Sequence, residues 1–205
     1  MLLQGAGQAL CVWQQRTEAI YFLDVGQGDG ILIRSPDGRN IVIDGGSTSQ
    51  SKCGTYTLLP ALRSQGMTEI DCWFVTHTDE DHISGLKELL LQGKLTQIKV
   101  RTVVFSAYVF QDAALAELEA VIRAAGITIV WMREGDVIGD DTFTLTCLHP
   151  TAEYRAKDKN AASLALAYHS DTFDMLFTGD MDADAVADMD IQQDYDCIKL
   201  PHHGS

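Results

Sequence analysis

The sequence predicts an α+β fold, a four-layer αββα sandwich in which two β-sheets pack face to face with helices on the outer surfaces. Three observations lead there. Strand-like segments crowd both ends of the chain, strand and helix patterns alternate between them, and glycine or proline turn signals separate most of the segments.

Taken in order, alternating or continuous apolar runs predict strands at 9–14, 19–23, 30–34 and 40–43. The turn chemistry of Ser35-Pro36-Asp37-Gly38 makes this first part an antiparallel meander. A helix over 55–64 stops at Gly66, a short apolar strand follows at 72–76, and a helix near 84–91 ends at Gly93. A strand at 98–105 precedes the clearest helix, 112–125, with Asp112 as its N-cap and Gly126 past its end. Strands then return at 127–131, 142–148, 163–168 and 173–177, followed by a helix at 183–189 and a strand at 197–200. No repeat, low-complexity stretch or linker divides the chain, so one domain over residues 1–205 is expected. It stops on functional-looking residues directly after a strand, so the expectation is a piece of something longer, lacking its final elements.

The 205 residues carry 15 Lys+Arg against 29 Asp+Glu, a net charge of −14, which argues against a generic phosphate-binding surface. Any nucleic-acid role would have to be carried by metal ions. A hydrophobic share of 46% supports a packed core and excludes an acidic disordered tail. No window has the roughly 18 apolar residues of a membrane span, and no basic stretch leads into an apolar run at the start. As written, the chain is expected to be soluble and unexported. The five cysteines, Cys11, Cys53, Cys72, Cys147 and Cys197, form no C-x-x-C pair and are read as buried thiols.

The strongest chemical signal is Thr76-His77-Thr78-Asp79-Glu80-Asp81-His82-Ile83-Ser84-Gly85, between an apolar strand and a helix. Two imidazoles and several carboxylates in six residues suit a borderline or hard divalent cation. In an extended segment His77 and Asp79 share a side, while Asp81 and His82 diverge towards a second ion. The alternative is a solvated turn whose Asp residues cap the next helix. Two later strands end the same way, delivering Asp180 after Thr178-Gly179 and His202-His203 after Pro201. Each alone reads as a turn, but three matching strand ends favour one shared site. The glycines at 26, 28 and 30 lack the spacing and lysine of a phosphate loop, so that segment reads as a tight turn with Asp24 and Asp29 bonded to backbone. Asp44, before Gly45-Gly46, reads as a turn cap on sequence alone. Lys199 either neutralises a substrate phosphate or, by strand alternation, points to solvent. His149 reads as a strand-ending residue and His169 as an exposed one.

The set Phe22-Leu23-Asp24-Val25-Gly26-Gln27-Gly28-Asp29, Ile43-Asp44-Gly45-Gly46, the 77–85 motif, Thr178-Gly179-Asp180 and Pro201-His202-His203-Gly204-Ser205 resembles the metallo-β-lactamase superfamily. It looks most like its ComEC-type members, the C-terminal extracytoplasmic domains of competence DNA-uptake proteins. The resemblance implies two divalent metal ions, Mn or Zn: His77 and Asp79 on one, Asp81 and His82 on the other, Asp180 bridging, and His202 completing the second site. It implies catalytic roles for Asp79, Asp81 and His203, the last replacing or assisting His202, and makes Asp44 a residue that orients a histidine ligand. The motif carries Asp79 where the wider superfamily has a histidine, which shifts preference from Zn towards Mn. Asn160 stands where a further histidine ligand is usual, so the first ion is expected to be weakly held.

The implied activity is metal-dependent phosphodiester hydrolysis, a DNase acting in DNA uptake. Hydrolysis of a small phosphoester such as phosphocholine, or a non-catalytic metal-poor scaffold, stand as alternatives. The implied partners are DNA, bound through metal, and the membrane-embedded channel portion of a longer parent, with no lipid contact from this segment. The implied location is the extracytoplasmic face of the cell membrane in such a parent, and otherwise the cytoplasm.

Overall fold

The computed structural model describes residues 17–189, 191 and 193–204; the strand expected at 9–14 and Cys11 lie outside them. Eleven strands among the described residues form two sheets. The first has six strands in the order β1 (Ala19–Phe22), β2 (Gly30–Arg34), β3 (Asn40–Asp44), β4 (Glu69–Phe74), β5 (Lys99–Ser106) and β6 (Thr128–Met132). Its first three strands are the expected antiparallel meander, and β3 to β6 run parallel. The second sheet runs β11 (Cys197–Ile198), β10 (Asp174–Phe177), β9 (Ala165–Ser170), β8 (Phe143–His149), β7 (Val137–Gly139), antiparallel except for the two-residue β10/β11 pair.

Side-chain alternation along the strands builds the layers. In β2 and β3, Ile31, Ile33, Ile41 and Ile43 face the second sheet, while Leu32 and Val42 face the helices; Phe74 and Trp73 divide likewise. Between the sheets the isoleucines meet Leu145, Cys147, Leu166, Tyr168 and Phe177. The outer face of the first sheet is covered by α1 (Leu59–Ser64), α2 (Glu80–Gln92) and α3 (Ala113–Ala124), through Leu62, Leu86, Leu115, Leu118 and Ile122. On the second sheet the short α4 (Ala183–Asp188) sets Ala185 with Met181 and Met189 over Ala165. The αββα layering is the predicted one.

Four local readings change. A π-helical turn, Gly54–Leu58, leads into α1. β7 was not foreseen, being three residues of an exposed edge. Helix α2 begins at Glu80, so Asp81 and His82 lie in its first turn, not on an extended loop; acidic residues there suit the positive end of the helix dipole. Of the thiols, Cys53 and Cys147 are buried as expected and Cys72 half-buried, but Cys197 is exposed because β11 is a sheet edge.

Candidate metal centre

The site lies where chain leaves the ends of β3, β4, β10 and β11. Beyond β4 the backbone continues through Val75, whose N–H donates to Val104, and Thr76, whose carbonyl accepts from Leu164 N–H at 2.8 Å. That bond ties the end of the first sheet to the start of β9. The exit of β3 is stitched to α2: Gly45 N–H donates to His82 C=O and Gly85 N–H to Gly45 C=O, each at 2.9 Å. A β-carbon at Gly46 would lie 2.5 Å from Glu80 O, and one at Gly28 2.5 Å from Asp81 O, so only glycine lets these two turns close on the first turn of α2.

His77 and His82 are fully buried with ring centroids 4.0 Å apart. His82 Nδ1 lies 2.9 Å from Asp44 Oδ2, which makes Nδ1 the donor and turns Nε2 into the site, 3.2 Å from Asp180 Oδ2. Burial alone would lower the His82 pKa, but the carboxylates of Asp44 and Asp180 outweigh it and raise it to about 10. Proton and divalent cation therefore compete for one nitrogen. Asp44 sits at φ +56° and also accepts from Thr76 N–H (2.8 Å) and Thr76 Oγ1 (2.7 Å), so it orients His82 rather than capping a turn.

Asp79 is the N-cap residue of α2, yet its carboxylate accepts no helix N–H. Instead Oδ2 lies 3.6 Å from His77 Nε2 and Oδ1 2.9 Å from Lys159 Nζ. The His77 imidazole is the largest influence on its pKa, and with Lys159 it outweighs desolvation and holds the carboxyl well below the usual range. Asp180 is similarly depressed: burial opposes ionisation, but His82 and the neighbouring imidazoles prevail.

The donors converge unequally. Asp81, His82, Asp180 and His203 each place a ligating atom within 4.8 Å of the others. Asp180 Oδ2 is 3.3 Å and Asp81 Oδ2 3.7 Å from His203 Nε2. Asp29, Asp44 and His82 form a second, overlapping grouping of equal closeness. His77 Nε2, His82 Nε2 and Asp180 Oδ1 are buried and complete no well-aligned hydrogen bond despite carboxylate or ammonium neighbours at 3.2–3.8 Å, as befits atoms that could hold a cation. The mixed nitrogen and carboxylate set suits a divalent metal.

Two expectations about the end of the chain change. His203, not His202, enters the donor group: both residues take left-handed φ, +48° and +54°, and this strained turn carries the 203 ring inward. His202 uses its N–H on Gly179 O at 3.3 Å. Lys199 does not point to solvent, because β11 ends at Ile198 and alternation ends with it. Its ammonium turns inward to Asp29 Oδ2 at 2.6 Å and Gly179 O at 3.0 Å, with Asp180 Oδ1 at 3.8 Å.

Sequence reasoning missed Asp29 and Lys159. Asp29 reads as a turn residue, but its carboxylate faces Lys199, His82 and His203 while its N–H takes Asp81 O at 3.1 Å. Asn160, half-buried, contributes its carbonyl to Ser163 N–H, and the adjacent Lys159 supplies the charged contact at this point of the site. Ser163 in turn lies 3.5 Å from His77 Nδ1 and accepts Asp180 N–H at 3.2 Å. His149 is more than a strand end: it is buried, and its Nε2–H donates to Ala161 O at 3.0 Å, pinning the turn that carries Lys159.

Residues 23–152 match the family model of the metallo-β-lactamase superfamily, well over half of the chain. The chain belongs to the metallo-β-lactamase superfamily. As a member it has divalent metal binding and hydrolysis as its coarse chemistry, in keeping with the donor set above. It is 30% identical over 199 residues to ComE operon protein 3 of Bacillus subtilis (strain 168), an alignment covering 89% of this chain and 25% of that protein. The chain thus spans about a quarter of that relative's length. Among solved structures it shares the fold of the metallo-β-lactamase fold protein YhfI from Bacillus subtilis, with TM-score 0.51 and 14% identity, covering 78% of this chain and 62% of that one. A HARLDQ-motif mutant of a metallo-β-lactamase from Cronobacter sakazakii is equally similar, with TM-score 0.51 and 14% identity over 78% of this chain and 60% of that one. Among the described residues no helix is long and apolar enough to cross a membrane.

Proposed function

We propose that this metallo-β-lactamase domain is a metal-dependent phosphodiester hydrolase, a DNase of the ComEC type serving DNA uptake. The supporting observation is the convergence of Asp81, His82, Asp180 and His203 from both sheets, beside two lysine ammoniums. The carboxylates attract a divalent cation, manganese ahead of zinc because Asp81 and Asp180 supply half of the donor set. Such an ion, when bound, supplies Lewis-acid polarisation of the phosphate and a nucleophile at neutral pH.

The chain's own residues do the rest. Asp44 holds His82 in the tautomer that leaves Nε2 open. Lys199 offsets the repulsion between Asp29 and Asp180. Lys159, partly exposed at the rim, neutralises Asp79 at 2.9 Å. With a net charge of −14 the protein repels DNA at large, so affinity is concentrated at the metal centre and falls on chelation. In the longer parent that the relative suggests, we place the domain on the extracytoplasmic face of the cell membrane, beside a membrane-embedded channel portion and without lipid contact of its own.

The test is cleavage of single-stranded DNA by metal-reconstituted protein with Mn or Zn, beside Asp79→Ala and Asp180→Ala. Metal-dependent cleavage abolished in both variants is expected. Metal-loaded protein that hydrolyses only a small phosphodiester would replace DNA with a small phosphoester as substrate. Loaded protein inert on both would leave a binding module.

A further inference from the structure

The two halves of the centre are not equivalent, and the difference lies with Lys159. Four donors meet on the Asp81, His82, Asp180 and His203 side, whereas His77 and Asp79 face each other as a pair. The ammonium of Lys159 sits on that pair, 2.9 Å from Asp79 Oδ1 and 2.9 Å from Asp112 Oδ2.

The lysine is held there from both ends. Asp112 is immobilised as the N-cap of α3, its Oδ1 accepting Leu115 N–H at 2.8 Å. The turn bearing Lys159 is fixed by His149 on Ala161 O and by Asp158 Oδ1 accepting Ala161 N–H at 2.8 Å. A fixed ammonium beside Asp79 neutralises the carboxylate that a cation would need and repels a divalent ion placed against it.

We propose that Lys159 acts as a built-in cation for the His77 and Asp79 half, so that this chain tightly binds one divalent ion, on the Asp81, His82, Asp180 and His203 side. The inference rests on the reading of this cluster as a metal centre. It replaces the expected pair of ions with one ion and one ammonium, and makes Lys159 a positioning residue that sets metal stoichiometry.

The experiment is equilibrium dialysis of the full chain against MnCl2 with metal analysis, combined with electron paramagnetic resonance of the bound ion. Wild type and Lys159→Arg are expected to take up one tight equivalent with the six-line signal of isolated Mn(II). Lys159→Met is expected to take up two, with an exchange-coupled signal and at least tenfold tighter binding of the second ion. Asp112→Asn, which loosens the lysine from outside the donor set, is expected to shift in the same direction. Two equivalents of comparable affinity with a coupled signal in wild type would overturn the inference while leaving the metal centre intact. A single equivalent in both Lys159→Met and Asp112→Asn would overturn it as well. No uptake by any form would overturn the metal reading itself.

Discussion

Replacing Asp44 by asparagine separates the orientation of His82 from its presence. The carboxylate receives three hydrogen bonds, from Thr76 N–H at 2.8 Å, Thr76 Oγ1 at 2.7 Å and His82 Nδ1 at 2.9 Å. Asparagine tolerates the left-handed φ of +56° at this position and keeps one oxygen for Thr76 N–H. Its amide NH2, however, faces the Nδ1 proton of His82, which drives the ring to the other tautomer and puts a proton on the nitrogen aimed at the metal. Losing one charge-assisted bond costs about 1.5–3 kcal/mol of stability. Losing the orienting partner of a ligand costs about 10–100-fold in metal affinity, or about 1.4–2.8 kcal/mol. Asp44→Ala would forfeit all three bonds and the short polar side chain that eases the left-handed φ, a loss of about 5 kcal/mol or more that threatens the fold. The informative variant is therefore Asp44→Asn, assayed by urea unfolding in chelator and by calorimetric Mn titration. Binding within twofold of wild type would refute the claim that Asp44 sets the His82 tautomer.

Gly46→Ala should weaken metal binding and cost about 1–3 kcal/mol of stability, since the new methyl lands 2.5 Å from Glu80 O and must displace the first turn of α2; unfolding and Mn titration read both. His149 is buried neutral, desolvation holding its pKa below the usual value. The unfolded chain takes up a proton below about pH 6.5 that the folded one resists, so stability falls as pH drops through that value, by up to about 1.4 kcal/mol per unit. Denaturant midpoints between pH 7.5 and 5.5 should show a shallower loss in His149→Gln than in wild type. Stripping metal with a chelator should lower the melting temperature by about 5–10 °C relative to protein in cation at 100 times its dissociation constant, an effect His203→Ala should abolish.

Much of the fold was legible because strand alternation is a local signal: Ile31, Leu32 and Ile33 announce a strand buried on both faces without reference to anything distant. The motif from His77 to His82 and the strand ends at Asp180 and His203 were legible for a similar reason, as ligand-type residues after apolar runs. Asp29 and Lys159 were not, because an aspartate in a glycine turn and a lysine in a polar loop are ordinary surface residues until tertiary contact fills their surroundings. The solvent-facing alternative for Lys199 fails because it extends alternation past Ile198, where pairing stops. The beginning of α2 was obscured because Glu80 and Asp81 suit both a ligand loop and an acidic first turn.

The bond from Leu164 N–H to Thr76 O joins the two sheets at the rim where the donors meet. His82 belongs to the first half of the chain and Asp180 to the second, separated by about a hundred residues, so a cation shared between them closes a long loop. In native-state hydrogen exchange the amides of Leu164 and Asp180 should then act as a gauge of this seam. With cation present they should exchange only with global unfolding, and in its absence through a local parting of the sheets that leaves the isoleucine layer between them closed.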